Sequence, residues 1–220
     1  MYSAKTAAEV LKRVEIPDLC LLIGPNHQGT GHPFALFPDG SWETPLGPVP
    51  IEREFASGLL ESSHDIYPDF DAHQEEHSLE VEVPLLQFRN PGVKIVPLLI
   101  GTLDWEWAGQ VASSMLEFLK NRTDFLIVVS TDMSHYETDE ATRKKDQYAL
   151  RAIEALDEEK FVQAVETHRI SMCGFIPVFM SIILVKGLGA KKAALIHYST
   201  SADAGGDKTR VVGYAGFIIE

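Results

Sequence analysis

The sequence predicts an α/β protein, a three-layer sandwich with helices on both faces of a central mixed sheet. Three observations point to it. Short apolar runs at 19–23, 93–100 and 125–130, interrupted only by Lys94 and Ser130, have the pattern of strands buried on both faces. Longer stretches with helical spacing of apolar residues alternate with them. Two closing extended segments, 192–198 and 211–219, have the pattern of an antiparallel pair, so the sheet is mixed rather than purely parallel. A chain of 220 residues is long enough to bury about 70% of its unfolded surface. We read residues 1–220 as one domain.

In chain order, Ser3 can cap a first helix whose apolar face is Ala7, Val10, Leu11 and Val14, ended by Pro17. The strand 19–23 follows and stops at Gly24 and Pro25. Residues 28–50 are rich in Gly and Pro. Extended pieces at 34–37 and 41–44 flank the turn signal Pro38-Asp39-Gly40, which predicts a small hairpin flap. Pro50 opens a helix to about residue 62. A polar loop over 63–76 leads into 77–88, read as a helix with Pro84 in its middle. After the strand 93–100, Asp104 caps a helix reaching residue 120. The strand 125–130 runs into Thr131-Asp132-Met133-Ser134-His135, and helices are predicted at about 138–156 and 158–168. Cys173 and Gly174 open an apolar helix to about 186, before the two final strands.

Composition excludes several classes. Nineteen Lys and Arg against 32 Asp and Glu leave a net charge of −13, which argues against a nucleic-acid partner. No run approaches the ~20 apolar residues that span a bilayer, so no membrane association is expected. The N-terminus has no apolar core of a secretory signal, and the expected location is the cytoplasm. Two cysteines do not make a disulfide framework. Phosphate-loop, dinucleotide and nucleophile-elbow motifs are absent.

What remains is a set of polar groups at strand ends, where open α/β sheets bind ligands. The first strand delivers Asn26 and His27. The polar loop delivers His77, with Glu80 one predicted helical turn later on the same face. The strand at 125–130 is followed by Asp132 and His135. Cys173 stands at a predicted helix N-terminus, where unpaired amides favour a thiolate. Imidazole and thiolate are common metal ligands, so one rim of the sheet is the candidate site. His32, His64, His73, His168 and His197 are left out of it. Trp42, Tyr136 and Tyr198 are candidates for an aromatic mouth.

Four stretches in order, Gly24-Pro25-Asn26-His27, Glu76-His77-Ser78-Leu79-Glu80, Ser130-Thr131-Asp132-Met133-Ser134-His135 and Met172-Cys173-Gly174, resemble the signature of the Memo family, whose microbial members are also called AmmeMemoRadiSam system protein B. The resemblance covers nearly the whole chain. It implies a fold like that of the class III extradiol dioxygenases, non-haem iron enzymes that cleave catechol rings with molecular oxygen. By position, His27 matches a metal-binding His. Cys173 matches the Cys that replaces a carboxylate ligand of the dioxygenases. His135 matches their acid–base His, with Asp132 to orient it. Asn26, His77 and Glu80 fall in the pocket. The implied cofactor is a divalent metal, Fe(II) first, with Cu(I) or Zn(II) as softer alternatives suited to a thiolate. Family members usually carry Pro-His-Ala-Gly-Tyr just before the stretch matching residues 1–6, its His being the first metal ligand and the segment the first strand. Neither is present in this chain.

Three readings follow from the resemblance and the residues. The first is a metal-dependent oxidoreductase acting on an unidentified small molecule. The second is a metal- or peptide-binding module without turnover. The third is a hydrolase using metal-activated water. The family name further suggests a radical-SAM partner.

Overall fold

The computed structural model describes residues 2–220. In chain order the elements are α1 (Ala4–Leu11), β1 (Leu19–Pro25), β2 (Phe34–Leu36), β3 (Ser41–Thr44), β4 (Gly47–Pro50), α2 (Arg53–Ser62), β5 (Tyr67–Pro68), α3 (Asp71–Gln74), α4 (Val83–Arg89), β6 (Lys94–Ile100), α5 (Trp105–Leu119), β7 (Leu126–Val129), β8 (His135–Glu137), α6 (Asp139–Glu154), α7 (Glu158–His168), α8 (Phe175–Gly187), β9 (Ala193–Thr200) and β10 (Val211–Ile219).

The apolar run of β1 is buried along its whole length. It pairs in parallel with β6, Leu19 opposite Lys94 through Pro25 opposite Ile100. On its other side it pairs in parallel with β7, Cys20 opposite Leu126 through Ile23 opposite Val129. β2 joins β6 antiparallel, and β5 follows β2 in parallel, giving the order β5-β2-β6-β1-β7. The central sheet is therefore mixed, as predicted, but through β2 and not through the two closing strands, which lie in another sheet. A second sheet, β8-β10-β9, is antiparallel. α2, α5 and α8 pack in succession against the first sheet, and α1 and α6 pack on β9 and β10. Leu21, Leu22, Ile23, Ile95, Leu98 and Phe34 are fully buried between these layers. Among the described residues, no helix is long and apolar enough to cross a membrane.

Several local expectations are corrected. The hairpin is β3 with β4, Ser41 opposite Pro50 through Thr44 opposite Gly47, so its turn lies at Pro45 and Leu46. Phe34–Leu36 instead joins the central sheet, because three fully buried residues are satisfied there. Pro50 ends β4 rather than opening α2. The segment 78–82 is a run of turns, and α4 begins only at Val83. Pro84 lies in the first helical turn, where its missing N–H has no partner to lose. Glu80 therefore does not share a helix face with His77; it is exposed.

Candidate metal centre

β1 and β7 are adjacent and parallel, so their C-terminal ends meet at one rim. The chain leaving β1 carries Asn26 and His27, and the chain leaving β7 carries Asp132. Two donor groups stand there, His27 with Glu76 and His77, and Asp132 with His135 and Cys173. Within each group the ligating atoms lie within 4.8 Å of one another. Donors around one tetrahedral ion at 2.0–2.3 Å sit ~3.3–3.8 Å apart, so a closure of about 1 Å would bring either set onto a metal.

The first group is built on a buried carboxylate. The Glu76 side chain is 2% exposed. Its Oε2 accepts the His27 backbone N–H at 2.5 Å, and Oε1 accepts from His27 Nδ1 at 2.8 Å, His77 N at 2.9 Å and Ser78 N at 2.8 Å. Burial alone would raise the Glu76 carboxyl, but the His27 side chain and the surrounding amides hold it below its ordinary value. Because a carboxylate only accepts, His27 Nδ1 carries a proton in this contact. The His77 ring stacks on His27 at 4.7 Å. Ser78 Oγ donates to Pro25 O at 2.9 Å, tying this loop to the end of β1. Asn26 spends its side chain locally, donating to Thr30 O and accepting from Gly29 N, and so shapes its own loop.

The second group is built on a thiol. The Asp132 N–H donates to Cys173 Sγ at 3.1 Å. Gly174 lets this contact form: a Cβ there would lie 2.4 Å from Thr131 Cβ and 2.8 Å from Ser130 O. His135 Nδ1 donates to Ser171 O at 2.6 Å, which directs Nε2 to 3.7 Å from Asp132 Oδ2. The Asp132 carboxylate raises the His135 imidazole above its ordinary value, against burial. Burial pushes the Cys173 thiol up, and amide donation from Asp132 does not offset it. This corrects the expected helix-favoured thiolate. Cys173 precedes the Gly174 cap, and its distance from water outweighs the amides of α8.

Behind the second group lies a buried support that sequence reading missed. Asp146 Oδ1 accepts from Ser134 N at 3.1 Å and Ser134 Oγ at 2.6 Å, while Tyr198 OH donates to Oδ2 at 2.7 Å. The 131–135 loop is thereby fastened to α6 and β9. Burial raises both the Asp146 carboxyl and the Tyr198 phenol. The signal was present: Asp146 shares the inward stripe of α6 with Ala149, Leu150 and Ile153. Glu76 was missed because it lies in a polar loop, one residue before His77. Glu80 belongs to neither group. His27 and Cys173, expected to ligate together, stand in different groups of the same rim. Of the expected aromatic mouth, Trp42 packs instead on Phe37 and His73, and Tyr198 serves Asp146.

The fold resembles the crystal structure of an uncharacterized protein from Escherichia coli K12, with a TM-score of 0.60 over 97% of this chain and 92% of that one, at 12% identity. In sequence the chain is 43% identical to a MEMO1 family protein of Aquifex aeolicus over 99% of its length and 81% of the relative's. It is 36% identical to one of Methanopyrus kandleri, over 99% of this chain and 78% of that one. The family model described as Memo-like protein matches residues 1–218. The chain belongs to the Memo-like family.

Proposed function

We propose that the rim beyond β1 and β7 binds one transition-metal ion and that the protein is a metal-dependent oxidoreductase acting on a small molecule. The observation that carries this reading is the thiol, imidazole and carboxylate of Cys173, His135 and Asp132 within 4.8 Å of one another. Cys173 is the anchoring donor. His27 supports the reading from the neighbouring strand end, since Glu76 engages its Nδ1 and leaves Nε2 as the ring nitrogen that could serve a metal. Few protein donors leave coordination positions open, as a reactive rather than structural site requires. A mixed sulfur, nitrogen and oxygen set suits Fe(II), with Cu(I) and Zn(II) as competitors. Bound iron would supply one-electron chemistry at those open positions. His135, held by Ser171 O and facing Asp132, is placed to hold or pass a proton.

The test is anaerobic titration with Fe(II), Cu(I) and Zn(II), followed by calorimetry and absorption spectroscopy. One equivalent of Fe(II), bound with a thiolate-to-metal absorption lost in Cys173→Ser, is the expected result. Binding of Zn(II) alone would turn the reading toward metal-activated water. No binding of any of the three would overturn it.

A further inference from the structure

Helices α6 and α7 are joined by only three residues, 155–157, and the Tyr148 ring stacks on His168 at 3.6 Å, so the two run antiparallel. Their inner faces are spent on the core: Ala149, Leu150 and Ile153 of α6 and Phe161, Val162 and Val165 of α7 are buried. On the outer side the seam between them opens into a cavity of about 310 Å³. Ala152 and Ala164 make its floor, because their short side chains leave the space between the helices unfilled. The stacked Tyr148 and His168 rings close one end. Toward the other end stand Arg151 and Lys160, one from each helix. The charge of this cavity is opposite to that of the protein. The chain carries 32 Asp and Glu against 19 Lys and Arg, yet among the described residues no carboxylate lines the seam. Lys160 is bonded to Asp157 at 2.8 Å, outside the cavity, whereas Arg151 has no ion pair among the described residues.

We propose that the α6–α7 seam is a ligand site, separate from the rim, for a small aromatic carboxylate. The carboxylate pairs with the Arg151 guanidinium, a planar fork that matches two oxygens, and Lys160 adds positive potential beside it. The ring covers Ala152 and Ala164 and meets the Tyr148–His168 pair at its edge. Each part of such a ligand answers one part of the cavity. Inorganic phosphate would use the cations and leave the alanine floor in water. A neutral ring would cover the floor and leave Arg151 unpaired. In a chain of net charge −13 an anion is repelled at long range, so only a local cluster of cations with a matching apolar surface retains one. Small-molecule sites span about 300–1,000 Å³, and this cavity lies at the low end, where one or two fused rings fill it. Asp146, which serves the rim, lies on the inward stripe of α6, so the seam occupies a different face of that helix. This inference does not rest on the metal reading.

The experiment is isothermal calorimetry of the protein with 1-naphthoate, repeated with 1-naphthamide as the neutral analogue and with inorganic phosphate. One equivalent of 1-naphthoate is expected to bind, about tenfold or more tightly than either of the others. Arg151→Gln should weaken it by about tenfold or more. Ala164→Leu, which fills the floor, should remove it, and the far-UV circular dichroism of both variants should stay unchanged. Cys173→Ser should bind as the parent protein does, because the rim is not involved. No binding of 1-naphthoate, or equal binding by Arg151→Gln, overturns the proposal. Loss in Cys173→Ser with retention in Arg151→Gln would put the naphthoate at the rim and overturn it as well. Equal affinity for phosphate would reduce the seam to a general anion patch, and tighter binding of a Glu-rich peptide would assign it to a protein partner; either result overturns the aromatic carboxylate.

Discussion

The two donor groups on the rim are made of similar residues and built in opposite ways. Around Glu76 the polar groups are already spent: a buried carboxylate accepts four N–H groups, and the His27 ring is locked against it. Around Cys173 they are held in reserve. The thiol takes one clear amide donor, and the nearest Asp132 oxygen stands 3.7 Å from His135, too far for a good hydrogen bond. The carboxylate at the centre of the first group therefore works for the fold and orients an imidazole. The second group leaves its donors less committed. Proximity of His, Asp, Glu and Cys does not by itself identify a site; what each donor already does decides.

That contrast can be broken most directly at Glu76. Glu76→Ala strands several buried donors and should cost about 3–5 kcal/mol of stability, measured by urea unfolding. A loss under about 1 kcal/mol would mean that the first group is no more locked than the second.

His73 sharpens the same side of the comparison through pH. Burial holds its imidazole down to about 4 from 6.5; Nε2 donates to Ala35 O, and Asp69 and Glu76 act in the opposite direction. A depressed histidine contributes stability at pH above its unfolded value, and that stability is lost as pH falls from about 6.5 to 4. The unfolded chain binds the proton in that window and the folded one does not. The contribution is about 3 kcal/mol. His73→Gln should flatten the stability curve between pH 6.5 and 4 relative to the parent protein. Parallel curves for the two proteins would remove His73 as the cause.

For the second group, Cys173→Ser should lower metal affinity by about 100-fold, or about 2.7 kcal/mol, with unfolding stability changed by no more than about 1 kcal/mol. The reverse pattern, stability lost and affinity kept, would make Cys173 a packing residue. The smallest effect is expected behind it. Tyr198→Phe removes one hydrogen bond to Asp146 and should cost about 1 kcal/mol. It should also speed hydrogen exchange of the Ser134 amide, which Asp146 holds. If that amide is unaffected, the support behind the loop does not depend on the phenol.

Much of the fold was legible because its signals are local. An apolar run bounded by Gly24 and Pro25 reads as a buried strand, and the Asp104 side chain does accept from Trp107 N to cap α5. The misreadings came where a residue's meaning depends on a distant partner. Pro84 was read in the middle of a helix, and only the turns at 78–82 place it at a helix start. Phe34–Leu36 could have been half of a hairpin, but pairing with β6, more than sixty positions on, claims it. The site divides in the same manner. Asn26, His27, Asp132, His135 and Cys173 were nameable from their places after strands and before a helix. The roles of Glu76 and Asp146 were not, since they rest on hydrogen bonds spanning 49 and 12 residues.

By itself, then, the sequence determined where the long strands and helices lie, and which donor types reach the rim, because periodicity and punctuation act over a few residues. Only the tertiary structure decided that Glu76 is locked, that the Cys173 thiol is raised rather than lowered, and that Phe34–Leu36 pairs with β6. Those properties depend on burial and on the pairing of backbone edges. Both are set by neighbours far away in the chain.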